Sequence, residues 1–296
     1  MTIFSMAIIS VCYFASNIFQ NQFSGSLAGR KYPLPLFQGL WMGIAAVLMI
    51  IIKYFTGDFH FSVETITISV FSGVFLALGG MMLVLALEKG VMSLTILLFS
   101  ANPVIPTILS IFLLNERTTV FQVFGMILII MVFILINLNK EDLGMKMERG
   151  WFLYSILSAL FTGLSSFCTK LQQTRLPNLE QTEYMIVLYV SGLIIMLICF
   201  VYLFRRERNG RKEKYIFGTS GFFLPAIMVA LVQGIAMLCS LYNSSRVPAI
   251  ILFPVTQLLT LILTTIFSVI RLGEKPKRKT VFCMLIGITA IVIMNF

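Results

Sequence analysis

The side chains with chemistry to offer in this chain are few, and they stand inside long apolar runs. Asn17 and Gln20 are three residues apart in "YFASNIFQ", as are Gln38 and Trp41 in "FQGLW", and a helix puts residues at that spacing on one face. Asn102 lies between Ser100 and Pro103, Gln233 is followed by Gly234, and Gln257 follows Pro254 by three residues. An amide donates and accepts hydrogen bonds without carrying charge, so these positions suit recognition of a neutral polar solute. The same groups can instead bond one helix to another, a contact worth roughly 1 kcal/mol in a membrane. Lys170, in "SSFCTK", could neutralise a carboxylate or phosphate, or extend its amine to a lipid–water interface.

Chemistry of other kinds lacks its parts. The single histidine, His60, has no second histidine near it, and the five cysteines have no metal-ligand spacing, so neither a metal centre, a cofactor site nor a catalytic triad can be assembled. No Asp or Glu stands well inside an apolar run; Glu88 and Glu183 sit at the ends of theirs. Exchange of protons for cations calls for a desolvated carboxylate with its pKa raised toward neutrality. Enzymatic function and that form of ion exchange are both disfavoured.

The elements that position these groups follow from composition. The 296 residues are 58% hydrophobic and 11% charged, too apolar for a water-soluble globule of this size. Apolar spans of about 20 residues, the length that crosses a hydrocarbon core, recur almost without linkers. Ten can be drawn: Ile3 to Gln20, Leu34 to Tyr54, Ile66 to Leu87, Val91 to Leu114, Phe121 to Leu138, Trp151 to Leu171, Tyr184 to Phe204, Phe217 to Leu241, Val247 to Ile270 and Thr280 to Phe296. Strands of a membrane barrel would be half as long and would alternate in polarity. The expected fold is therefore an all-α integral membrane protein with ten transmembrane helices. No base precedes the first span, which reads as a retained helix and not as a cleaved signal.

Net charge of +10 could point to nucleic acid, but 17 of the 22 Lys and Arg fall in the loops after the first, third, fifth, seventh and ninth spans. By the positive-inside rule those loops are cytoplasmic and both termini are not, in a cell membrane whose anionic lipid attracts the basic loops. No nucleic-acid partner is expected.

The chain also repeats itself. Setting Glu116 over Glu274 brings "LNERTTVFQVFGMILIIMVFILINL" above "LGEKPKRKTVFCMLIGITAIVIMNF", with Asn137 and Asn295 each 21 residues after the glutamate. Gly80 falls over Gly234, and "FASNIFQNQ" over "TGLSSFCTK". The expected units are residues 1–140 and 150–296, two inverted five-helix repeats, since an odd number of spans turns the second over. Glu116 and Glu274 are expected as structural turns, accepting hydrogen bonds at the starts of the fifth and tenth helices, where a carboxylate suits the positive helix end; a gating ion pair is the other reading. Pro103, Pro106 and Pro254 are expected to kink the fourth and ninth spans as hinges.

With the Leu-x-Glu-base turn after the fourth and ninth spans, Pro103 thirteen residues before Glu116, and the Gly163 to Lys170 pattern, the chain resembles the EamA-like branch of the drug/metabolite transporter superfamily, with Gln22 where the second half has Lys170. The resemblance implies a secondary carrier working by alternating access through a cavity lined by helices one, three, four, six, eight and nine. Together with the amides it leads to a transporter of a small polar, amino-acid-like metabolite, acting in export, its partners the substrate and the lipid bilayer and its state monomeric or homodimeric. A multidrug or lipid-linked-sugar exporter of the same fold is the alternative within transport, and a non-transporting membrane scaffold the alternative outside it.

Overall fold

A computed structural model describes residues 2–26, 33–57, 59–90, 92–138, 150–177, 179–208 and 220–271, with isolated positions between 282 and 293. They form α1 (Thr2–Ser26), α2 (Pro33–Thr56), α3 (Val63–Lys89), α4 (Met92–Phe99), α5 (Val104–Leu113), α6 (Val120–Leu138), α7 (Trp151–Arg175), α8 (Gln181–Arg208), α9 (Ser220–Ser244) and α10 (Ala249–Arg271). Among the described residues nine of the ten expected spans are helical, the fourth in two pieces, α4 and α5. Most of the tenth span lies outside the described residues, and so does Glu274. Within α2, α3, α7, α8, α9 and α10 there are stretches long and apolar enough to cross a membrane.

Local chemistry sets the helix ends. Ser62 caps α3, its hydroxyl accepting the Thr65 N–H at 3.1 Å, and Glu64 and Lys89 place charge of the favourable sign at the first and last turns. At the start of α6, Thr119 and Gln122 cap each other reciprocally: Thr119 N–H donates to Gln122 Oε1 at 3.0 Å, and Gln122 N–H donates to Thr119 Oγ1 at 3.2 Å. The break between α4 and α5 falls at residues 100–103, where Pro103 supplies no N–H and takes the N-cap position. Pro106 sits in the first turn of α5, where helix N–H groups lack partners anyway, so it adds no second kink.

The broadest interfaces are α3 on α7, α1 on α9 and α2 on α8. Close crossings need small residues: a Cβ at Gly73 of α3 would overlap the Leu188 carbonyl oxygen and the Ser191 hydroxyl of α8. A buried polar network ties three helices together. Tyr184 of α8 donates to Ser72 of α3 at 2.8 Å and shares a 3.1 Å contact with Thr169 of α7, while Ser72 and Ser165 of α7 lie 3.0 Å apart. At another place Phe23 of α1 stacks on Phe37 of α2, centroids 3.8 Å apart, and Phe222 of α9 meets both rings edge-on.

The turn between α7 and α8 is fastened to its neighbours by carboxylates. Glu180 accepts from Ser62 N–H at 3.1 Å and from the Ser62 hydroxyl at 2.8 Å; Glu183 pairs with Lys53 at 2.6 Å. Burial alone would raise the Glu180 carboxyl, but hydrogen bonds from Thr65 and Ser62, with His60 alongside, hold it below its ordinary 4.5. A lowered folded-state value means that its stabilisation is fully present above the ordinary carboxylate range and is lost as pH falls through the lowered value. The thermal midpoint of Glu180→Gln should therefore lie below that of the parent near pH 7, and the gap should close as pH falls below the ordinary carboxylate range.

Candidate functional site

Between the helices lies a cavity enclosing about 910 Å³ of atom-free space, its mouth included. Helices α1, α3, α7, α9 and α10 each turn a face to it, and α4 and α8 contribute Phe99 and Tyr189. From α1 come Ile9, Tyr13, Asn17 and Gln20, and from α7 come Thr162, Ser165, Ser166 and Thr169, both sets at the three-and-four spacing of a single helical face. Gln233, Met237 and Ser240 of α9 and Thr256, Gln257 and Thr260 of α10 continue the wall, and Asn102 enters from the break between α4 and α5. The described lining residues include no charged side chain.

Five of the residues singled out by type thus meet in one place: Asn17, Gln20, Asn102, Gln233 and Gln257. Gln20 Nε2 and Gln233 Nε2 both donate to Ser16 Oγ, at 3.0 and 3.1 Å, and Gln257 Nε2 donates to Ser100 Oγ at 3.3 Å. The break carrying Asn102 is pressed against α7, where a Cβ at Gly163 would come within 2.7 Å of the Asn102 carbonyl oxygen. Pro254 lies inside α10, three residues before Gln257 in an otherwise continuous helix.

Three residues lie elsewhere. Gln38 is fully buried beside Gly80 and accepts the Trp41 indole N–H at 2.5 Å, so the pair locks α2 to itself and to α3. Trp41 supports the cavity only from behind, edge-on to Tyr189 at 5.9 Å. Lys170 has its ammonium committed to protein acceptors: Ser244 O at 2.9 Å, Val247 O at 3.0 Å and Glu116 Oε1 at 2.7 Å. No donor of this amine is left over for a ligand, and its side chain is buried within the protein.

Glu116 accepts at a helix start, but at that of α10 and not of α6: its Oε2 takes the Ala249 N–H at 3.0 Å while Oε1 holds Lys170. Thr119 and Gln122 do the capping of α6 instead. Asn115, at φ 51°, adopts the left-handed conformation that ends α5 and turns the chain toward α10. A clue stood in the sequence: Asn115 aligns with Gly273, and these are the residue types that tolerate that conformation. The result is a latch joining the α5–α6 connection, the end of α7 and the α9–α10 turn.

This latch and the Phe23–Phe37–Phe222 cluster lie toward opposite ends of α9, on either side of its cavity-facing residues. Phe222 starts α9 and Ser244 ends it, a separation of about 33 Å along a helix rising 1.5 Å per residue, with the cavity face of Gln233 to Ser240 between them.

A family model of EamA-like transporters matches residues 1–138 and 149–296, nearly the whole chain in two copies. The chain belongs to the EamA-like transporter family. It is therefore a multi-pass membrane protein of a transporter family, in keeping with the drug/metabolite transporter superfamily. An uncharacterized protein of Methanocaldococcus jannaschii is 33% identical over 109 residues, 36% of this chain and 79% of that one. A solved crystal structure of a protein 14% identical superposes with a TM-score of 0.65 over 97% of this chain and 98% of the other, and shows the same fold.

Attention to amides alone misses part of the wall of this EamA-like cavity. The hydroxyls of Ser166, Thr169, Thr256 and Thr260 bond back to their own helices, donating to Thr162 O, Ser165 O, Leu252 O and Thr256 O at 2.8 to 3.1 Å. With the hydroxyl hydrogen so used, what such a group retains is acceptor capacity. The signal available was the recurrence of Ser and Thr at helical spacing in "TGLSSFCT" and "TQLLT".

Proposed function

We propose that the protein is a secondary transporter of a small neutral or zwitterionic polar metabolite, amino-acid-like in its chemistry, which it exports by alternating access through this cavity. The observation that carries the reading is the lining: amides and hydroxyls drawn from both halves of the chain, without charge among the described residues. Hydroxyls bonded to their own helices present lone pairs suited to an ammonium or other N–H donor, and amide N–H groups suit a carbonyl or carboxylate. Such a site pairs with a solute of no net charge without leaving a buried charge uncompensated.

In this reading residues 1–140 and 150–296 are inverted repeats that rock about the midplane, both termini face away from the cytoplasm, and the latch and the aromatic cluster open in turn. Gln38, Trp41 and Lys170 then support the site without touching substrate, and the carrier works as a monomer or homodimer in the cell membrane. In proteoliposomes, Asn102→Leu and Gln257→Leu should each reduce amino-acid flux at least tenfold, with thermal midpoints close to the parent's. Unchanged flux would remove both residues from the site, and ligand-induced stabilisation by hydrophobic cations alone would overturn the proposed substrate class.

A further inference from the structure

Two residues of the cavity wall each carry a buried polar atom with no partner within the described protein: the Asn17 Nδ2 donor and the Gln20 Oε1 acceptor. Their residues are 3% and 4% exposed, so bulk solvent does not serve them. The other end of Gln20 is fixed, because its Nε2 donates to Ser16 Oγ at 3.0 Å, and that orientation keeps the carbonyl oxygen away from Ser16. At a spacing of three on α1 the two side chains are neighbours, roughly 5–6 Å apart at their β-carbons, close enough for one small group to meet both. Buried donors and acceptors are costly when left unpaired, so a donor and an acceptor side by side on a cavity wall specify what completes them.

We propose that Asn17 and Gln20 form a subsite that reads a neutral amide edge, with Asn17 Nδ2–H donating to the ligand's carbonyl oxygen and Gln20 Oε1 accepting from its adjacent N–H. A carboxylate presents only acceptors and would oppose Gln20 Oε1; an ammonium presents only donors and would oppose Asn17 Nδ2–H. A group carrying both on one edge satisfies both residues, whether it is the side-chain carboxamide of an amino acid or the lactam edge of a pyrimidine. The assignment rests on the cavity being the substrate site, as argued above, and selects within it the neutral amide-bearing solutes.

The test uses the whole purified chain in liposomes, with L-glutamine, L-asparagine and uracil as amide probes, L-glutamate and L-aspartate as their acid counterparts, and L-alanine as a solute without a side-chain amide. At least one amide probe should bind and cross tenfold or more better than the acids and alanine; glutamine or asparagine names the amino-acid source, and uracil names the lactam source. Asn17→Asp, which replaces the donor by an acceptor at the same size, and Gln20→Met, which removes the acceptor, should each weaken that probe by roughly tenfold to a hundredfold. Equal handling of glutamine and glutamate, or an amide preference that survives both substitutions, would overturn the subsite while leaving transport intact. An absence of flux and binding for every probe would instead sink the transport reading and this subsite with it.

Discussion

Lys170→Met is expected to lower the stability of the folded chain by roughly 2–4 kcal/mol, somewhat below the cost of breaking a fully buried pair. Lys170 is 7% exposed at its side chain and Glu116 is 18% exposed, so neither charge is well hydrated once its partner is gone. Methionine keeps the apolar stem but takes three hydrogen bonds with it, those to Ser244 O, Val247 O and Glu116. Glu116→Gln should also destabilise, since its single amide oxygen can keep only one of the two contacts, its NH2 faces the other donor, and the ammonium lacks a counter-charge. The double variant should recover part of the loss, because it leaves no unpaired ion. A cycle of the four proteins, measured by chemical or thermal unfolding in detergent, reads the coupling directly; strict additivity would mean that the pair contributes nothing as a pair. If the latch also closes one end of the cavity, thiol labelling of single cysteines beside Ser240 should rise in the same variants.

A second large effect is expected at Gly73. Even one added methyl, in Gly73→Ala, runs into the Leu188 carbonyl and the Ser191 hydroxyl, and backbone cannot swing away as a side-chain tip can. Helices α3 and α8 must separate, at a cost of about 3 kcal/mol or more. The separation also disturbs the cavity, because Leu76 and Leu83 of α3 and Tyr189 of α8 are parts of its wall. Gly43→Ala is the control: its Cβ would stand 3.5 Å from the Leu193 side chain, an ordinary contact, and alanine favours the helix. Size-exclusion profiles and thermal midpoints should show the first variant poorly folded and the second at least as stable as the parent. Equal midpoints would mean that the crossing of α3 and α8 is looser than the structure has it.

The helices were legible because lipid imposes a length and a polarity that the sequence must carry in plain view, and the spans from α1 to α10 follow those runs closely. The site was legible only by residue type. An amide in an apolar helix announces that it needs a partner without saying on which side the partner stands. Asn17 and Gln20 face the cavity while Gln38, just as apolar in its surroundings, turns to Trp41 and Gly80. For the same reason Glu116 could be read as a helix-start acceptor but not assigned to α10, which lies 133 residues away in the chain and becomes its neighbour only through packing. The reciprocal cap of Thr119 and Gln122 was open to reading, being a local pattern that tertiary structure does not have to complete.

On the alternating-access reading the two ends of the cavity are closed in turn by unlike materials, an ion pair with backbone carbonyls at one and three phenylalanine rings at the other. Exposing aromatic surface to water raises heat capacity, whereas exposing polar groups lowers it. On the alternating-access reading, conversion between the two open forms therefore carries a net heat-capacity change of its own, fixed by what seals each door. The balance between those forms should then curve with temperature, and transport rates plotted against reciprocal temperature should bend even where no helix unfolds.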